Sequence, residues 1–283
     1  MSSLALALVI ASAFFHATWN LFAKESEDKL LFLWCVLGAG ALVFLPILLL
    51  GPWPALPREG WGYILASGAI HVSYYFFLAQ AYDRGDLSLV YPLARGSGAL
   101  LVVVPAALVI GERPSGLGLL GIASIVLGLL LLHQSPGGRL DLLQGPHVPR
   151  ALCTGATIAT YSIVDKLGVG VVHPLTFVVY FHLTSFVLLA PWILLTRGQR
   201  LLVDLSRQRG RVLMAGVLQN LSYGLVLTAM TLANVSYVVA AREVNVIIGA
   251  MLGAWRLREG RPGQKLLASA FVAAGLIMIG RFG

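Results

Sequence analysis

Long apolar runs alternate along this chain with short breaks where charges and Pro/Gly clusters gather. The runs predict helical spans near residues 4–23, 30–50, 61–81, 88–110 and 115–133, then near 151–166, 172–195, 211–232, 236–256 and 264–281. A helix needs about 20 apolar residues to cross ~30 Å of hydrocarbon, so the pattern predicts an all-α membrane protein with ten transmembrane helices. The most polar break, HQSPGGRLDLLQGPHVPR at 133–150, separates five spans from five. It divides the chain into units 1–134 and 151–283 with a connector at 135–150.

The two units also match in residues. ATWNLFAK at 17–24 aligns with ATYSIVDK at 159–166, pairing Thr18 with Thr160, Trp19 with Tyr161 and Lys24 with Lys166. Ser73 and Tyr74 align with Ser222 and Tyr223, Arg95 with Arg242, and Glu112 with Glu259, the last two pairs spaced 17 residues apart in each half. Five spans carry a chain from one side of the bilayer to the other, so the second unit is expected upside down relative to the first. Inverted repeats of this kind place a solute site near the midplane, where the copies meet.

Composition agrees: of 283 residues, 58% are hydrophobic and 11% charged, with a mean hydropathy of +0.85. The net charge of +8 then belongs to loops and helix ends facing anionic lipid rather than to nucleic-acid binding. Cys35 and Cys153 lack metal or redox spacing and are expected as small core residues. The N-terminal stretch lacks the features of a cleaved signal and reads as the first span. No cofactor is implied: GLGLLG at 116–121 lies inside an apolar helix, and neither a Walker A loop nor a zinc-protease or G-x-S-x-G motif occurs.

Arg95 stands about seven residues into its span, ~10 Å along the helix. Insertion scales charge ~2.5–3.5 kcal/mol for an arginine at a helix centre, and the repeat accepts this cost again at Arg242. Glu243 is the acidic residue expected at that depth, with Asp165 nearer a span end, which leaves about one positive charge over and points to an anionic visitor. Other polar residues share faces at i, i+3 and i+4: His16, Trp19 and Asn20; His71, Tyr74 and Tyr75; Gln219, Asn220 and Tyr223. Singly, each suits a helix-to-helix hydrogen bond; together they suit a polar cavity. The expected substrate site is therefore Arg95, Arg242, Tyr74, Tyr75, His71, Trp19, Asn20, Gln219, Asn220 and Tyr223, with Glu243 as a coupling group. Lys24 and Lys166 are expected at helix C-terminal dipoles and headgroups.

HATWNLFAK at 16–24, the stretch ending GERPS at 111–115 and its counterpart ending REGRPG at 258–263 resemble the EamA-like ten-span members of the drug/metabolite transporter superfamily. The resemblance implies a carrier of small metabolites in the bacterial inner membrane with termini in the cytoplasm, and the two halves suit alternating access around a central site. Charge argues against that orientation. Of the 18 Lys and Arg outside the two central arginines, 14 would then face outward, five of them in TRGQRLLVDLSRQRGR at 196–211. The competing functions are an intramembrane enzyme with His16, His71 and Arg95 on a lipid phosphate, and a non-transporting receptor or assembly subunit; no recognised nucleophile–base spacing supports the enzyme.

Overall fold

A computed structural model describes residues 1–82, 87–132, 145–248 and 262–283. The described residues form helices and no strand: α1 (Ser3–Glu25), α2 (Lys29–Leu50), α3 (Arg58–Tyr82), α4 (Leu87–Leu101), the short α5 (Val103–Pro105) and a π-helical segment (Ala106–Ile110), then α6 (Gly116–Leu132), α7 (Val148–Gly168), α8 (Pro174–Leu232), α9 (Val235–Arg242) and α10 (Pro262–Phe282). Ser2 and Asp28 open α1 and α2 by accepting from the Ala5 and Leu31 amides, which satisfies backbone donors that a helix start leaves open.

Among the described residues, six stretches are long and apolar enough to cross a membrane: 3–23, 29–50, 93–110, 174–199, 206–232 and 263–282. The α3 and α7 helices have 25 and 21 residues but a more polar make-up, because they carry inward residues such as Ser67, His71 and Asp165. Residues 249–256 of the predicted span 236–256, and Glu259, lie outside the described residues.

The connector expected at 196–210 is instead helical, within the 59 residues of α8. Yet His182 and Asn220 are hydrogen-bonded at 3.2 Å although 38 residues apart, a separation of ~57 Å along a straight helix. The two arms of α8 therefore fold back on each other, and the spans 174–199 and 206–232 run antiparallel.

The core is the seam between the chain's halves. The α1 and α2 helices pack on α8, α3 on α7 and α8, α4 on α7, and α6 on α10. Where α6 meets α10 a Cβ at Gly121 would lie 2.9 Å from the Gly275 carbonyl oxygen, so glycine permits backbone contact there. That is the use of GLGLLG. Large apolar side chains such as Leu108, Leu195 and Leu266 remain exposed on the outside, as a lipid-facing surface requires. Cys35 is half-buried and packs against two of the core clusters, whereas Cys153 is on an exposed face and not in the core as expected.

Candidate functional site

The GERPS stretch is a set of helix caps. Gly111 takes φ +77°, a left-handed turn that ends the π-helical segment. The turn delivers Glu112 to the start of α9, where its carboxylate accepts from the Val235 amide at 2.5 Å, the Ser236 amide at 3.3 Å and the Ser236 hydroxyl at 2.8 Å. Ser115 caps α6 through the Gly118 amide at 3.0 Å, and its own amide donates to the Tyr237 hydroxyl at 2.8 Å. Lys166 closes the other side of the α8–α9 break, donating to the carbonyls of Met230 and, at 3.0 Å, Ala233. It stands in the last turn of α7, as expected, while its ammonium reaches across to the C-terminus of α8.

Thus anchored, α9 brings Arg242 and Glu243 into the centre. Glu243 and Arg95 form a two-pronged pair across the halves, Nη2 to Oε1 at 2.9 Å and Nε to Oε2 at 3.0 Å. The exposures of Arg95, Glu243 and Arg242 are 3%, 1% and 7%. Arg242 has a different setting. Its guanidinium lies 4.8 Å from the Tyr223 ring centre, its Nε has no hydrogen-bond partner, and no carboxylate among the described residues pairs with it. The repeat explains the difference: Glu243 stands after Arg242, whereas Gly96 stands after Arg95.

Asp165 is fully buried. It accepts from the Ser67 hydroxyl on Oδ1 at 2.5 Å and from the Tyr223 hydroxyl on Oδ2 at 2.5 Å. Among the described residues the centre thus holds two arginines and two carboxylates, one acidic residue more than the sequence placed there. His71 Nδ1 donates to the Ser67 carbonyl at 2.9 Å, since a carbonyl can only accept. Its ring is sandwiched between Tyr161, centroids 4.1 Å apart, and Phe181, 4.5 Å apart, with the edge of Tyr223 at 5.8 Å. Tyr74 contacts the same group through Tyr161 and Tyr75, at 6.0 and 5.3 Å.

The remaining predicted residues divide. Gln219 donates weakly to the Tyr75 hydroxyl at 3.5 Å, leaving its oxygen without a partner. Asn220 turns to His182 and the Gly216 carbonyl and packs the arms of α8 together. Trp19 sits among Phe32, Val36 and Val212 with its ring 4.9 Å from His16, and its indole N–H is buried and unbonded. Asn20 is half-buried and makes no side-chain hydrogen bond among the described residues, so it is not joined to the centre. Sequence reasoning passed over Asn245, 2% exposed, with neither amide atom bonded. The available signal was its place at i+3 from Arg242, opposite Gly98 in the repeat. Among the described residues no cluster of three His, Cys, Asp or Glu could hold a metal.

The EamA-like transporter family matches the chain twice, over residues 3–134 and 148–281. The chain belongs to the EamA-like transporter family. It is thus a multi-pass membrane protein of a small-molecule transporter family, the standing that its sequence resemblance implied. A solved crystal structure resembles it with a TM-score of 0.75 at 18% identity, covering 100% of this chain and 99% of the other, and shows the same fold.

Proposed function

We propose that this EamA-like protein is a secondary transporter or facilitator of a small carboxylate- or phosphate-bearing metabolite, amino-acid-like zwitterions included. It works by alternating access in the bacterial cytoplasmic membrane, without a cofactor. Ten spans form two inverted repeats, 1–134 and 151–283, joined by the connector 135–150, and the halves rock about the seam where α4 and α9 bring their arginines together.

The observation that carries this reading is Arg242: buried, without a carboxylate partner among the described residues, and with Nε unbonded. Buried polar atoms are nearly always satisfied, so unbonded ones in a native core call for a ligand or water. One turn along, the Asn245 amide is equally unbonded, as is the indole N–H of Trp19 on α1, which packs on α9. These donors suit an anionic end, and the unbonded oxygens of Gln219 and Asn245 suit an ammonium. Tyr74, Tyr75, His71 and Tyr223 form the wall. Arg95 acts through Glu243, holding α4 to α9.

Uptake into proteoliposomes tests the reading. Amino acids, carboxylates and phosphorylated metabolites are each offered outside. A solute should accumulate with time, and Arg242→Ala should abolish uptake while the protein remains folded. Uptake unchanged by Arg242→Ala would overturn the site.

A further inference from the structure

Glu243 and Asp165 are both buried carboxylates, but their partners differ in kind. Arg95 can only donate: its Nε hydrogen-bonds one oxygen of Glu243 and its Nη2 is in ion-pair contact with the other, so a proton on Glu243 would weaken the pair. Asp165 is held by two hydroxyls, Ser67 and Tyr223. A hydroxyl donates or accepts by rotation, so the same two oxygens can receive a proton carried by Asp165 with no side chain moving.

The surroundings of Asp165 contain one cation poised to sense that proton. Tyr223 gives its hydroxyl to Asp165 and its ring face to Arg242. From α3 the facing groups are His71, through Ser67, and Tyr74; from the second arm of α8, Tyr223; from the first arm, His182 behind Phe181. On α7 itself lie Tyr161, one turn back, and Lys166, committed to the carbonyls of Met230 and Ala233 beside Glu112. From α4, Arg95 is committed to Glu243. If a substrate carboxylate reaches Arg242, one buried guanidinium faces two carboxylates. A proton on Asp165 removes the conflict.

We propose that Asp165, rather than Glu243, is the proton-binding group of this site, and that a proton taken up there accompanies the anionic end of the substrate to Arg242. The carboxylate oxygen of Asp165 takes the proton from hydronium on the open side of the membrane, one O–H bond of the hydronium breaking as the carboxyl O–H forms and water remaining; release of substrate and proton reverses the exchange. This rests on the transporter reading for its purpose, while the proton site itself can be measured without transport.

The test is a pH titration of the protein in lipid vesicles by infrared difference spectroscopy, which sees the protonated carboxyl stretch. One buried carboxyl should titrate, vanish in Asp165→Asn and persist in Glu243→Gln. Its midpoint should move in Tyr223→Phe and in Arg242→Met. A spectrum with no titrating carboxyl, a band that survives Asp165→Asn, or a midpoint indifferent to Arg242→Met overturns the proposal. L-alanine and L-lactate then serve as zwitterionic and anionic probes, neither changing charge between about pH 5 and 7. Above the midpoint, probe affinity should fall about tenfold per pH unit in the wild type and stay flat in Asp165→Asn. A flat wild-type profile overturns the coupling even if uptake is intact; loss of uptake with the titration intact overturns only the transport reading.

Discussion

Arg95 and Arg242 occupy equivalent places in the repeat, yet one is spoken for and the other is not. Arg95 is clamped by both oxygens of Glu243. Arg242 rests on the ring of Tyr223, its Nε unbonded. A duplicated scaffold supplied both guanidiniums; two unduplicated positions set them apart, since Glu243 faces Gly96 in the alignment and Asp165 faces Ala23. Symmetry explains how two cations come to share a membrane core, and its local failure explains why only one of them pairs with a carboxylate among the described residues.

The sharpest way to break this comparison is Glu243→Ala. It strands Arg95 in a buried site, which costs about 3–5 kcal/mol where a buried pair loses one member. The expected outcome is a large drop in melting temperature in detergent, largely restored in the double variant Arg95→Met, Glu243→Leu, where no charge is left. Additive losses in the double variant would mean that the two residues are not one unit.

Next in size is Glu112→Ala. It removes the acceptor for two backbone donors and one hydroxyl at the start of α9, and a buried donor left open costs about 1–3 kcal/mol. Both Arg242 and Glu243 lie on or just after this helix, so uptake should fall as well, with Glu112→Gln milder on both measures. Equal losses from Ala and Gln would remove the cap as the cause.

Much of this was legible in the chain. The apolar runs located most of the described helices, and the repeat picked out Arg95, Arg242, Tyr74 and Tyr223, because repetition of a costly residue is a signal independent of packing. Asp165 was not legible as a central residue, since distance from a span end measures depth only if the helix lies across the membrane as drawn. Its link to Ser67 and Tyr223 is a contact between three helices, which no spacing within one helix encodes. Lys166 and Glu112 were visible as charges near helix ends, but the ends they cap belong to α8 and α9. Asn245 stood one turn from Arg242 in the sequence, but its unbonded amide is a matter of packing that the spacing does not encode. The continuity of α8 through 196–211 was hidden because charge marks where a chain meets water and says nothing of whether its backbone stays helical.

A smaller effect is expected from Tyr223→Phe, which deletes one of the two donors to Asp165 and leaves the ring under Arg242. A hydrogen bond to a charged group contributes about 1.5–3 kcal/mol, and the lower end applies where a second donor remains. Stability measured at fixed pH should fall by about that lower value, and Ser67→Ala should match it. If Tyr223→Phe costs as much as Glu243→Ala, the ring's hold on Arg242 has been lost with the hydroxyl and the two arginines are less distinct than the contacts imply.

The smallest loss of stability is expected from Arg242→Met, and it completes the contrast. A cation on an aromatic face contributes about 0.5–2 kcal/mol, but burying an arginine without an acid partner carries a desolvation cost that methionine avoids, so the net change should lie within about 1 kcal/mol. Uptake, in contrast, should disappear. Arg95→Met should show the reverse order, with a large loss of stability from the stranded Glu243 and a transport defect that follows from it. A residue whose removal the fold tolerates and the function does not is one kept for a visitor; if both variants destabilise alike, Arg242 is a second structural arginine and the unbonded Nε has another explanation.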